Sequence, residues 1–207
     1  MPIKQTLYPK TKRVGSSEAR VAITEKMDGS NLCFFKYDYE LYIAQRNNIF
    51  DYPSAMESSD GLYKGMHPWL KEHGDTLRDE LHDNACICGE WIGMGRLKYN
   101  HEETGRFMQF AKSRVTDDGD VFGLENIYYD RELFKWSYKS QELPWYIQPV
   151  PLVDYLDKIP SVSMLDSMYQ EYTANVGRPV EGFIMIVNNT ITKYVRMKNG
   201  TLTPHKS

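Results

Sequence analysis

Thr24-Glu25-Lys26-Met27-Asp28-Gly29-Ser30-Asn31 is the stretch on which the reading of the fold turns. A β-branched, apolar run (Val21, Ala22, Ile23, Thr24) leads into a lysine. Asp28-Gly29 then signals a tight turn, and a second apolar run extends from Leu32 to Phe35. The pattern predicts Lys26 at a strand end beside a turn, where a side chain can be aimed into a cleft. A lysine that attacks an electrophile must be uncharged, a state favoured by burial and by neighbouring cations. Taken alone, Lys-x-Asp-Gly arises by chance in roughly a few per cent of chains this long, and a solvated lysine ahead of a hairpin reads equally well.

Outward from this stretch the chain alternates short apolar runs with turn signals. Leu32–Tyr37 and Glu40–Arg46 predict a hairpin around Asp38-Tyr39, and Asn47–Gly65 reads as a polar loop. His67–Leu81 predicts a helix with Trp69, Leu70, Leu77 and Leu81 on one stripe, against which Gly74 counts. Ala85–Ile92 predicts a buried strand and Arg96–Arg106 a charged loop. Phe107–Arg114 and Asp120–Tyr128 predict two strands turning at Asp117-Asp118-Gly119, and Tyr129–Ser140 is ambiguous. Pro144–Pro151 reads as extended and Val153–Lys158 as a helical turn. Ser161–Val176 predicts an amphipathic helix carrying Met164, Leu165, Met168, Tyr169 and Tyr172 on one face. Gly182–Val187 and Ile191–Met197 predict a closing hairpin through Asn188-Asn189-Thr190. The sum is an α+β domain of antiparallel β-sheets flanked by helices.

With 207 residues, 41% of them hydrophobic, the chain can bury a sizeable core. It is expected to form one domain over residues 1–207, with residues 1–20 as a basic N-terminal extension. The net charge of -3 argues against a strongly basic nucleic-acid binder and leaves room for a local basic groove. Met-Pro-Ile-Lys-Gln carries no apolar signal core, and no stretch approaches the ~20 apolar residues of a membrane span. A soluble, cytoplasmic protein without a membrane partner is expected. Cys33, Cys86 and Cys88 have neither a disulfide framework nor zinc-ligand spacing, and read as strand residues in a reduced compartment. The five histidines show no metal or triad spacing.

Charged residues recur where core strands should not carry them. Arg46 closes the hairpin after Lys26, and Glu90 follows the buried run Cys86 to Gly89. Glu181 opens the penultimate strand, and Lys193, Arg196 and Lys198 lie along the last. Arg196 and Lys198 are two apart and so share a strand face. Each position singly fits a charged strand end; the ordered set after Lys-x-Asp-Gly does not fit chance.

That set resembles the covalent nucleotidyltransferase superfamily, and most closely its RNA ligases of bacteriophage type. Lys26-Met27-Asp28-Gly29-Ser30-Asn31 is similar to the nucleophile motif, and Glu25 is a residue common before it. Arg46 matches the arginine after the nucleophile hairpin. Gly89-Glu90, Val121-Phe122-Gly123-Leu124-Glu125, Glu181-Gly182 and Arg196-Met197-Lys198 are similar to the later motifs, in order. Arg196 stands where lysine is usual, exchanging a compact ammonium for a rigid fork, and Lys193 is an alternative for the first cation. Family members often carry a further domain, whereas only Asn199 to Ser207 follow Lys198, so no C-terminal accessory domain is expected.

The resemblance implies a nucleotidyltransferase (ATP-grasp-like) adenylation domain acting as an ATP-dependent RNA ligase in a bacteriophage or bacterial host cytoplasm. Lys26 would attack the α-phosphorus of ATP to give lysyl-AMP, with Arg196 and Lys198 stabilising the charge on the phosphates. Glu25, Lys26, Arg46, Glu90, Phe122, Glu181 and Lys198 would bind the nucleotide, Phe122 by stacking on adenine. Glu181 and Glu90 would hold Mg²⁺. AMP would pass to an RNA 5'-phosphate and a 3'-hydroxyl would seal the strand, with room for a protein partner that supplies substrate binding. A DNA ligase or a capping guanylyltransferase would share the lysine chemistry; Ser30-Asn31 and the absence of a trailing oligonucleotide-binding domain favour RNA ligase. A non-catalytic RNA-binding protein on this fold is the rival from another class.

Overall fold

The computed structural model describes residues 21–116, 121–126 (backbone only), 137–140, 143–187, 190–198 and 201–203. It is an α+β protein built on antiparallel sheets, and the chain groups into two compact units. The expected basic extension and the turn at Asp117-Asp118-Gly119 lie outside the described residues, as do Asn188-Asn189 of the last hairpin turn.

The first unit is organised on a sheet whose central strands are β2 (Gly29–Tyr37) and β5 (Ala85–Ile92). Strand β3 (Glu40–Gln45) pairs with β2 through the expected hairpin, and Asp38 and Tyr39 both take positive φ in its turn. Beyond β5 come β6 (Phe107–Val115) and β7 (Val121–Asn126). Alternation along β2 and β5 divides two apolar layers. Leu32, Phe34, Ala85, Ile87 and Trp91 face one, and Cys33, Phe35, Cys86 and Cys88 face the other.

Asn47–Gly65 is not the loop expected from its polarity. It holds the short strand β4 (Ile49–Asp51) and the helix α1 (Tyr52–Glu57), whose start is fixed by an Asp51 side-chain cap on the Ser54 N–H at 2.9 Å and by Pro53 in the first turn. Helix α2 (Met66–Glu80) matches its predicted span. Gly74 costs helix propensity but gives the room that the Tyr52 ring occupies against α2; a Cβ there would lie 2.7 Å from the Tyr52 hydroxyl oxygen. The charged loop carries one short helix, α3 (His101–Thr104), and Pro144–Pro151 contributes β8 (Ile147–Pro149), parallel to β6.

The end of α2 is held by a buried cation. Lys36 Nζ donates to the carbonyls of Arg78 at 2.7 Å and Leu81 at 3.3 Å, and its side chain is 6% exposed. An ammonium at a helix C-terminus satisfies carbonyls that have no partner within the helix. Lys36→Met is therefore expected to lower stability by about 2 kcal/mol, read as a shift of the urea midpoint at unchanged slope.

The second unit is a four-stranded antiparallel sheet in the order β11-β10-β1-β9: β11 (Thr190–Val195), β10 (Gly182–Val187), β1 (Val21–Lys26) and β9 (Leu152–Leu156). The sequence predicts a helical turn over Val153–Lys158, where the structure has strand β9 over Leu152–Leu156. Pairing with β1 makes it an edge strand instead, with a register shift between Ile23 and Thr24. Helix α4 (Val162–Val176) spans the predicted range, with Ser161 capping the Met164 N–H at 3.2 Å. Its Leu165 and Tyr169 pack with Val21, Ile23, Phe183, Met185 and Tyr194 of the sheet. A short hairpin of β12 (Met197–Lys198) and β13 (Thr201–Leu202) completes the unit. No helix among the described residues is long and apolar enough to cross a membrane.

Candidate active site

Strand alternation gives the two neighbours in Glu25-Lys26 opposite fates. Val21, Ile23 and Glu25 face α4, while Ala22, Thr24 and Lys26 face away from it. Glu25 is fully buried. Arg178 grips its carboxylate with both nitrogens, at 2.5 Å and 2.8 Å, and the Tyr172 hydroxyl of α4 donates a third bond at 2.8 Å. Glu25, which the resemblance places at the nucleotide, is thus engaged beneath the sheet.

Lys26 ends β1 opposite Gly182 of β10. Its Nζ donates to Glu181 Oε2 at 2.5 Å, with side-chain exposures of 23% and 19%. Burial pushes the Glu181 carboxyl above the usual carboxylate range, even though Lys26 and, more weakly, Lys193 pull it down. The backbone brings the pair together by a close approach: Gly182 has φ +155, and a Cβ there would drive into the Tyr194 carbonyl of β11. On the other side of the motif, Asp28 Oδ2 accepts the N–H groups of Arg96 at 2.6 Å and Leu97 at 2.7 Å, as suits a turn-shaping carboxylate.

The three cations expected along one strand separate. Lys193 lies opposite Ile184, itself opposite Thr24, and so shares the face of Lys26. Strand β11 stops at Val195, because the Glu181 carbonyl accepts the N–H groups of both Arg196 at 2.9 Å and Met197 at 3.0 Å. This departs from the even strand in which Arg196 and Lys198 would share a face. Arg196 turns to α4, where its guanidinium pairs with Asp166, bonds the Tyr194 hydroxyl at 3.1 Å and lies 5.5 Å from the Tyr169 ring centroid. Burial and the bond to Asp166 push the Tyr194 hydroxyl up to about 12. Lys198 is exposed on β12, opposite Thr201.

Arg46, Glu90 and Phe122 belong to the first unit, whereas Glu25, Lys26, Glu181, Arg196 and Lys198 belong to the second. Arg46 follows β3 and is exposed, its backbone N–H bonded to the Tyr63 hydroxyl at 3.1 Å. Glu90 lies opposite Asn31 and is half-buried. Phe122 sits in β7 opposite Arg114, and its side chain is outside the described residues. Sequence reasoning missed Arg178, Tyr172 and Asp166. Arg178 stands three residues before Glu181, but no spacing rule links it to Glu25.

The family model for RNA ligases matches residues 19–198. No curated protein matches the chain in sequence. Among solved structures, the chain is similar to an archaeal ATP-dependent RNA ligase at 20% identity and TM-score 0.55, over 91% of this chain and 48% of that one. A Naegleria gruberi RNA ligase variant with ATP and Mn aligns at 16% identity and TM-score 0.57, over 93% and 56%. A putative ATP-dependent DNA ligase from Aquifex aeolicus aligns at 17% identity and TM-score 0.53, over 91% and 49%. The chain therefore spans about half the length of the solved structures it matches.

Proposed function

The chain belongs to the RNA ligase family, and on that footing we propose that it seals RNA ends with ATP through AMP carried on Lys26. The observation that supports this most is the contact between Lys26 Nζ and Glu181 Oε2, two motif residues 155 positions apart in sequence and 2.5 Å apart in space. Lys26 Nζ attacks the α-phosphorus, a P–N bond forms, and pyrophosphate leaves with the electron pair of the broken P–O bond. The amine must first give up a proton, and Glu181 is in hydrogen-bond contact with a proton affinity raised by burial. AMP then passes to a 5'-phosphate on RNA, and a 3'-hydroxyl displaces it.

Once Lys26 carries AMP its ammonium charge is gone, and a largely desolvated Glu181 that has passed the proton on to solvent is a carboxylate needing another partner. That suits a divalent cation, and Glu181 would hold Mg²⁺. The ion would supply neutralisation of phosphate charge. Lys193 shares the Lys26 face and takes the phosphate-facing role first assigned to Arg196, while Arg196 ties β11 to α4. Lys193→Met is expected to slow AMP transfer to Lys26 by about a hundredfold with the fold unchanged. Arg196→Met is expected to lower stability more than it lowers the rate at saturating ATP. Comparable rate losses at equal stability would return Arg196 to the phosphates.

Intact-mass spectrometry after incubation with ATP and Mg²⁺, with GTP in parallel, tests the proposal. A gain of one AMP supports it, and sealing of nicked RNA in preference to nicked DNA separates it from a DNA ligase. A gain of GMP moves the chain to capping chemistry. No adduct, in folded protein first treated with pyrophosphate to strip bound AMP, favours an RNA-binding protein on this fold.

A further inference from the structure

The chain has three cysteines, and all three converge. Cys33 of β2 lies directly opposite Cys88 of β5, and Cys86, two residues earlier on β5, points to the same face. Their sulfurs all lie within 4.8 Å of one another, with Cys86 Sγ and Cys88 Sγ 3.8 Å apart. All three are free thiols, each at most 1% exposed, in a layer formed by Phe35, Ala44, Ala111 and Val115. One buried cysteine behaves as a small hydrophobe. Three brought from positions 33, 86 and 88 into mutual contact, with none left elsewhere, form a soft donor set.

We propose that Cys33, Cys86 and Cys88 form a three-sulfur site for a thiophilic divalent cation of the zinc or cadmium class. With metal–sulfur bonds of about 2.3 Å, sulfurs sit about 3.8 Å apart in tetrahedral and about 4.0 Å apart in trigonal coordination. The Cys86–Cys88 spacing already meets this, and the other sulfur separations do not exceed 4.8 Å. No histidine or carboxylate among the described residues joins the group, so the donors are sulfur alone. Thiolates select soft metals over magnesium and calcium. On binding, three metal–sulfur bonds form and three S–H bonds break, with all three protons released to buffer, because the thiolate and not the thiol is the ligand. The ion would clamp β2 to β5 two residues along the same face from Asn31 and Glu90.

The test is anaerobic titration of the reduced full chain with Cd²⁺ alone, independent of any ligase assay. The expected result is a thiolate-to-cadmium charge-transfer band with an endpoint at one equivalent, and a native mass gain of one cadmium less three protons. Cys86→Ala and Cys88→Ala should each weaken binding by about tenfold or more, with far-UV circular dichroism reporting the fold. A folded protein that shows no band, or variants that bind as tightly as the parent, would overturn the site. If the variants do not fold, ¹¹³Cd NMR of the parent decides: a strongly deshielded all-sulfur resonance supports the site, and an oxygen-ligand resonance overturns it.

Discussion

Lys26→Ala is expected to abolish the mass gain from ATP completely while leaving the fold in place. Lys193, the other lysine among the described residues that acts on Glu181, should not substitute, because it sits on another strand two positions off register. Lys26→Arg should fail as well, since a guanidinium keeps its proton and is a poor nucleophile. The fold of the alanine variant must be checked against pH. Burial raises the Glu181 carboxyl above its unfolded value, so its contribution to stability is fully present at low pH and is lost as pH rises through the folded value. Removing the Lys26 ammonium removes the charge that offsets this, so Lys26→Ala should be near wild type at pH 4 and fall progressively behind above the carboxylate range. Equilibrium unfolding at several pH values reads the divergence. A variant that still gains AMP would remove Lys26 as the nucleophile.

The second large effect is expected at Arg178. Glu25 is wholly buried, and Arg178 is its charge partner. Arg178→Met should strand that carboxylate with, among the described residues, only the Tyr172 hydroxyl, a loss of about 3 kcal/mol. For a chain of this size the melting temperature should drop by roughly 6–12 °C. Glu25→Gln combined with Arg178→Met should recover most of the loss, because no uncompensated charge remains. Recovery with ATP affinity intact identifies Glu25 as the tie between β1 and α4. If the double variant is stable yet no longer binds ATP, Glu25 belongs at the nucleotide after all.

Legibility in the sequence followed the range of the forces involved. The strands around Lys26, the Asp38-Tyr39 hairpin and helices α2 and α4 were readable because strand alternation, turn chemistry and helical periodicity act within a few residues. Helix α1 had a local signal, Asp51 followed by Pro53, hidden in a stretch judged by polarity alone. Strand β9 had none: Val153 and Leu156 fit a helical turn as well as a strand, and pairing with β1 decides. In the candidate site the motif order exposed Lys26 and Glu181. The divergence of Arg196 from Lys198 depends on the Glu181 carbonyl, and the grip of Arg178 on Glu25 spans 153 residues. The convergence of Cys33 with Cys86 and Cys88 likewise follows from β2–β5 register, which no spacing rule conveys.

The placement of β1 has a consequence for the newborn chain. Val21–Lys26 fill the middle of a sheet whose neighbours, β9 and β10, are translated much later. At about 5–20 residues per second, Glu181 leaves the ribosome roughly 8–30 s after Lys26. Until β9 follows, the strand carrying Lys26 is an unpaired, largely apolar segment, exposed to chaperones and to other nascent chains. A messenger truncated before β10 would yield a polypeptide bearing the whole Lys-x-Asp-Gly motif and unable to charge it.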